Sequence, residues 1–324
     1  MEKVNVVDKL TAFEKKSWAM KPYAAHRWGA DMPCPLRFVV NTYNGCDFKC
    51  RYCYVWHKRK TNLKQGFRKA FRNDIQSARK LGLDFHVIIS SSTDPLQPME
   101  KNHGETRYAL EELLNSGFSV LVMTKNPRML LTNQYLPLTK DPLLFIDVTI
   151  ASPDEENPES IFYSAAPSTL EKLGAIKKLT KLGKKVRVKV EPVIPSINGI
   201  RGQSEEDLWS LAKLLKDAGV SKVISKTLRL NEDMPPLLYN KLINYYRKNG
   251  SKEGINHVLS KKIRKKLLTP LFEACKYYEI PFCPCVEKDL FPKDKTINCL
   301  LEGEQAPPIM EVVKQVPSNW TYQS

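Results

Sequence analysis

Six short apolar, β-branched runs recur between residues 37 and 230, and helical patterns separate most of them. The runs are "RFVVNTY" (37–43), "FHVIISSST" (85–93), "FSVLVMTK" (118–125), "LLFIDVTIAS" (143–152), "KVRVKVEPVI" (185–194) and "KVISKTLRL" (222–230). Helical spacing of apolar residues marks 105–116, 168–182 and 204–218. Strands alternating with helices run parallel, because a parallel neighbour is reached only through a crossover. Their near-continuous apolar character fits strands covered on both faces. Ser168 with Glu171 and Ser204 with Asp207 have the spacing of capping boxes at helix starts. Gly117, Gly183 and Gly219 each follow a helical pattern, where glycine supplies the left-handed residue that ends a helix. The pattern predicts an α/β fold on a parallel sheet, as an open doubly wound sheet or as a barrel.

Each run ends in polar residues. The first leads into a cysteine-rich loop, the second reaches Asp94 and the third Lys125. The fourth ends at Ser152, the fifth at Glu191, and the sixth at Lys226 and Arg229. Carboxyl ends of parallel strands are where barrels and open sheets place their sites. No G-x-G-x-x-G or G-x-x-x-x-G-K-[ST] occurs, so dinucleotide and phosphate-loop readings have no support.

The loop after the first run, "NGCDFKCRYCYVW" (44–56), carries Cys46, Cys50 and Cys53. One such loop can wrap three thiolates around a cluster of four irons and leave one iron without a protein ligand, an open position suited to catalysis. Structural zinc wants four ligands, and a disulfide would leave one thiol over.

This loop, followed by Tyr54 and then by "SSTDPLQPMEK", "VMTKNP" and "VEPVIPSING", resembles the radical S-adenosylmethionine (SAM) superfamily, in its spore photoproduct lyase-like, DNA-repair-photolyase-like branch. The resemblance spans roughly residues 37–230. It implies a partial (β/α)6 TIM-type barrel, a [4Fe–4S] cluster on Cys46, Cys50 and Cys53, and SAM bound at the open iron. One electron from a flavodoxin- or ferredoxin-type donor would then cleave SAM to a 5′-deoxyadenosyl radical for hydrogen abstraction. Residue by residue, Tyr54 matches an aromatic near the adenine and Lys125 a lysine on the SAM carboxylate. Asp94, Ser152 and Glu191 are expected beside the cofactor's polar parts, and Tyr52 with Tyr54 matches a tyrosine pair implicated in hydrogen relay. The lyase's hydrogen-donating cysteine corresponds here to Ser91, whose O–H is far harder to cleave homolytically, so the lyase's own repair reaction does not carry over.

Beyond residue 230 the alternation stops. The expected organisation is a wrap over 1–36, the barrel over 37–230 and an extension over 231–324. The extension contains two helical patterns, the second (257–279) basic at Lys261, Lys262, Arg264, Lys265 and Lys266. With 51 basic and 35 acidic residues the formal net charge is +16, which suits a polyanionic partner such as nucleic acid. Cys283, Cys285 and Cys299, with Cys275, form a second candidate metal group for an iron–sulfur cluster or zinc; Cys34 is expected to pack. The start of the sequence has no signal-peptide pattern and no run suits a membrane span, so a cytoplasmic protein is expected. Three functions follow: a radical enzyme acting on nucleic acid, one acting on a peptide or small molecule, or a non-catalytic zinc-containing nucleic-acid binder. Salt-sensitive DNA binding separates the first from the second, and SAM cleavage removes the third.

Overall fold

The computed structural model describes residues 6–23, 34–55, 61–197 and 199–304. The first half contains α1 (Val6–Lys16), β1 (Met20–Pro22), β2 (Phe38–Val40), β3 (Tyr43–Asn44), β4 (Asn62–Leu63), α2 (Phe67–Lys80), β5 (Val87–Ile89), α3 (Glu100–His103), α4 (Glu105–Asn115), β6 (Val120–Thr124), α5 (Leu136–Thr139) and β7 (Leu144–Thr149). Then follow α6 (Thr169–Lys181), β8 (Val186–Val193), α7 (Glu205–Asp217), β9 (Lys222–Thr227), α8 (Pro236–Asn249), β10 (Gly250–Glu253), β11 (Asn256–Leu259), α9 (Lys261–Tyr277) and β12 (Phe282–Cys283).

The main sheet has the order β1-β2-β5-β6-β7-β8-β9-β12, with β1 antiparallel and all other pairings parallel. Its six central strands are the six runs of the sequence in unbroken order, as a partial TIM-type barrel requires. The two capping boxes form at α6 and α7. Gly117, Gly183 and Gly219 have φ of 73°, 83° and 78°. The sequence pattern did not disclose β1 and β12, which add an edge strand on either side. Nor did it disclose α2, or the β10–β11 hairpin that replaces the first turn of the 257–279 helix. Strands of two or three residues carry too little alternation to be legible. In the hairpin, Gly254 at φ 59° makes the turn and β11 pairs with β10.

Along the strands, Phe38, Val87, Val120, Ile146 and Val188 belong to the large core shared with the helices. Alternate positions point to the barrel interior, as the strand period of two demands. On the β5–β6 wall these are Ile88 and Leu121, which pack with Leu301. On the β7–β9 wall the interior is charged: Asp147 accepts a two-pronged bond from Arg187 at 2.5 and 2.9 Å, and Lys189, Glu191 and Lys226 follow above it. The stretch 297–304 crosses this interior from one side of the sheet to the other. Ile297 N donates to Phe282 O at 3.0 Å, Lys222 Nζ to Asn298 O at 3.0 Å and Arg187 Nη1 to Cys299 O at 3.0 Å. At the far side Arg37 and Glu304 form a buried two-pronged pair at 2.6 and 2.5 Å. Among the described residues no helix is long and apolar enough to cross a membrane.

Candidate active site

The cysteine loop leaves the sheet between β3 and β4. Gly45 turns the chain at φ 67° just before Cys46, and Lys49 takes φ 46° between Cys46 and Cys50, a conformation that a non-glycine residue keeps only where its surroundings impose it. Those surroundings are polar clamps on both sides. Gln97 accepts from Asp47 N at 2.9 Å and donates to Gly45 O at 3.2 Å. Across the loop, Ala165 N donates to Phe48 O at 2.8 Å and Arg51 N to Tyr163 O at 3.1 Å. Below it, buried Glu100 accepts from the hydroxyls of Tyr43 and Tyr135 and from Thr106 N and Arg107 N at 2.9 and 3.0 Å, tying the end of the first strand to the start of α4. The three thiols are half-buried on this frame. Burial pushes the Cys53 thiol up to about 11 and raises Cys46 and Cys50 as well, so these thiols stay neutral unless a bound metal were to displace their protons.

Lys125 stands next to the loop and within electrostatic reach of Cys50. Its ammonium lies 2.9 Å from Glu155 Oε1 and 5.1 Å from the ring centre of Tyr52. Glu155 is almost fully enclosed, and it also receives Lys172 Nζ, Ala151 N at 2.8 Å and the Tyr52 hydroxyl at 3.3 Å. Burial would raise this carboxyl, but Lys125 and Lys172 outweigh it and hold it at about 2. The same carboxylate keeps Lys125 protonated against the burial that disfavours its charge. Sequence reading missed both Glu155 and Lys172. The available signal was Lys172 itself, a lysine on the stripe of α6 that buries Ile176 and Leu179.

The other expected site residues take several places. Tyr54 donates to Ser91 O at 2.7 Å, and Ser91 N donates to Asn41 Oδ1 at 3.1 Å, so the Tyr54 and Ser91 loops are joined. Asp94 accepts from Leu96 N, Thr124 Oγ1 and Lys125 N at 2.9, 2.7 and 2.6 Å; it welds the ends of β5 and β6 and aims Lys125. Ser152 is buried, with its hydroxyl accepting from Asp154 N at 3.3 Å and its carbonyl from Thr169. Glu191 sits where the β8–β9 register becomes irregular between Val190 and Val193. Its Oε2 lies 3.4 Å from Lys189 and 3.5 Å from Lys226, and its buried Oε1 has no hydrogen-bond partner.

Two expectations need correction. Arg264 is not on the basic face of α9: it is buried, donating to Leu259 O and Glu287 Oε2 at 2.8 Å each, because Glu287 is enclosed and needs a counter-ion. Lys261 pairs with Asp289, while Lys262, Lys265 and Lys266 are exposed. Cys275 stands apart from the second cysteine group, packed in the core from α9 with its thiol pushed up to about 12 by burial. Cys283 and Cys285 lie within electrostatic reach of each other and of Cys299, and Cys34 lies within electrostatic reach of Cys299.

A family model described as the radical SAM superfamily matches residues 40–215. An uncharacterized protein, ORF301, of Acidianus two-tailed virus is 30% identical over 207 residues, which are 59% of this chain and 67% of that protein. Rv2578c of Mycobacterium tuberculosis (strain ATCC 25618 / H37Rv), also uncharacterized, is 26% identical over 207 residues, 58% of each chain. Among solved structures, a spore photoproduct lyase variant with bound AdoMet and dinucleoside spore photoproduct superposes with a TM-score of 0.56 at 16% identity over 74% of each chain. Streptococcus suis SuiB bound to S-adenosylmethionine gives 0.54 at 13% identity over 79% of this chain and 52% of that one. At such identities the likeness is one of fold. The family match, running from the end of β2 into α7, carries the conclusion that this chain belongs to the radical SAM superfamily and is a radical SAM enzyme.

Proposed function

We propose that this enzyme acts on nucleic acid, for repair or modification. The family implies a [4Fe–4S] cluster and SAM, and the residues present fit them. Cys46, Cys50 and Cys53 would hold the cluster on a clamped loop. The unpartnered buried Oε1 of Glu191 leaves an acceptor for a donor group of the cofactor. Lys125, kept charged by Glu155, offers a donor to its carboxylate. When bound, these groups supply hydrogen-atom abstraction, started by one electron from an outside reductant. The chain's part is to orient and to keep water away. Tyr52 and Tyr54 pack with Phe162, Ile194, Leu228 and Met234 in an apolar cluster over the strand ends.

The observation that carries the substrate class is the position of the exposed lysines. Lys262, Lys265 and Lys266 lie on the opening turns of α9, whose Ile263 and Leu267 pack in the same cluster as Tyr52 and Cys50. A phosphate backbone along this helix would therefore run beside the site. The neighbouring lyase structure holds a dinucleoside lesion, which supports the same class, although Ser91 replaces the thiol donor and the reaction must differ.

Fluorescence anisotropy with single- and double-stranded DNA and RNA, over a range of salt, tests this reading. Binding should weaken steeply with salt, and Lys262→Ala/Lys265→Ala/Lys266→Ala should lower the log–log salt slope by about one per lost phosphate contact. Salt-independent binding, or a triple variant that binds as the parent does, would remove nucleic acid in favour of a peptide or small-molecule substrate.

A further inference from the structure

All the cysteines except Cys275 fall into two spatial groups, and the proposed chemistry uses only one. The second group comes from three distant segments: Cys34 ahead of β2, Cys283 and Cys285 in and just after β12, and Cys299 on the stretch that crosses the barrel interior. These segments meet at the seam of the barrel. β12 ends the sheet on one side and β1–β2 on the other, and among the described residues no strands pair across the gap. Ile297 N donates to Phe282 O at 3.0 Å, which lays the stretch carrying Cys299 beside β12, and Cys34, Cys283 and Cys285 each lie within electrostatic reach of Cys299.

Two further observations point to an occupant. Lys189 and Lys226 share the single carboxylate of Glu191, and both ammoniums act electrostatically on Cys34 and on Cys285. Neutral thiols leave this half-buried excess of positive charge unbalanced, whereas thiolates on a metal centre would compensate it. Cys285 also has φ 23°, a strained conformation for a residue with a side chain.

We propose that Cys34, Cys283, Cys285 and Cys299 ligate a second iron–sulfur cluster that staples the first and last strands across the barrel seam. Four thiolates are a complete ligand set for such a cluster, in contrast to the open set on the Cys46 loop. Among the described residues no three Cys, His, Asp or Glu are set around a single metal ion, and this is equally true of Cys46, Cys50 and Cys53. A cluster spaces its thiolates around a larger body than a zinc ion does.

The test is metal and sulfide content of the full chain after anaerobic reconstitution, with electron paramagnetic resonance of the reduced protein. The variant Cys46→Ala/Cys50→Ala/Cys53→Ala should keep about four irons. Adding Cys34→Ser or Cys283→Ser should remove them, and adding Cys275→Ser should not. In the parent, two cluster signals are expected, of which SAM shifts one. Circular dichroism of each variant separates loss of cluster from loss of fold; should Cys283→Ser unfold, Cys34→Ser, at a half-buried position, carries the test. No iron in the triple variant, one zinc in its place, or iron that survives replacement of all four cysteines would overturn the proposal. The count needs neither the Cys46 loop nor turnover, so its failure would leave the active-site reading standing. Failure of that reading would instead appear as absence of the SAM-induced shift.

Discussion

The two cysteine groups contain the same side chain and differ in what brings it together. In the Cys46–Cys53 loop the spacing is local: one turn with Gly45 and Lys49 in left-handed conformations gathers three thiols, and neighbouring loops clamp it through Gln97, Phe48 and Arg51. In the Cys34, Cys283, Cys285 and Cys299 group only Cys283 and Cys285 are near neighbours in the chain. The thiols meet because the sheet curls and 297–304 threads its interior, anchored by Arg187, Lys222 and the Arg37–Glu304 pair. A local group depends on its clamps, and an assembled group on the whole barrel, so the two should fail separately.

The largest expected effect is on chemistry. Cys46→Ala/Cys50→Ala/Cys53→Ala should reduce SAM cleavage below detection, measured as 5′-deoxyadenosine released under dithionite, while thermal unfolding shows a folded chain. Next come two variants that split the comparison. Glu155→Ala leaves Lys125 and Lys172 buried without their carboxylate, at a cost of about 3–5 kcal/mol in chemical denaturation. It should impair SAM binding and leave any metal on the second group in place. Arg37→Ala strands Glu304 at a similar cost and releases 297–304, so it should affect the second group first. If both variants disturb both groups equally, the separation fails.

A smaller effect follows from pH. Glu155 ionises at about 2 in the folded chain against 4.5 for a free glutamate. A depressed carboxyl stabilises the fold fully above its unfolded value, and that contribution is lost as pH falls from 4.5 towards 2. The linked loss is roughly 3 kcal/mol at one pKa unit per 1.36 kcal/mol, and Glu155→Gln should flatten this part of the stability–pH curve. The smallest effect is expected from Tyr54→Phe, which deletes the 2.7 Å bond to Ser91 O between the two loops. It should cost about 1 kcal/mol and leave the iron content unchanged.

The legible parts were those whose signal lies within a few residues. Val186–Val193 and Leu144–Thr149 announced themselves by continuous apolar runs, Ser168 and Ser204 by capping-box spacing, and Cys46, Cys50 and Cys53 by their interval. Glu155 was not legible, since an acidic residue in "ASPDEENPE" looks like a solvated loop until Lys125 and Lys172 enclose it. Arg264 read as part of a basic face because its counter-ion, Glu287, lies beyond the helix in a loop. Phe282–Cys283 was too short to show a strand period.

The sequence by itself determined the alternation of strands and helices, the cysteine loop and the polar residues at the strand ends. These follow from backbone geometry and side-chain period, which act between near neighbours. Tertiary structure alone decided that Cys34 and not Cys275 stands with Cys283, Cys285 and Cys299, that Arg264 is internal, and that one buried carboxylate, Glu155, organises two lysines and a tyrosine. Burial and charge pairing join residues far apart in the chain, and their outcome depends on how the sheet closes.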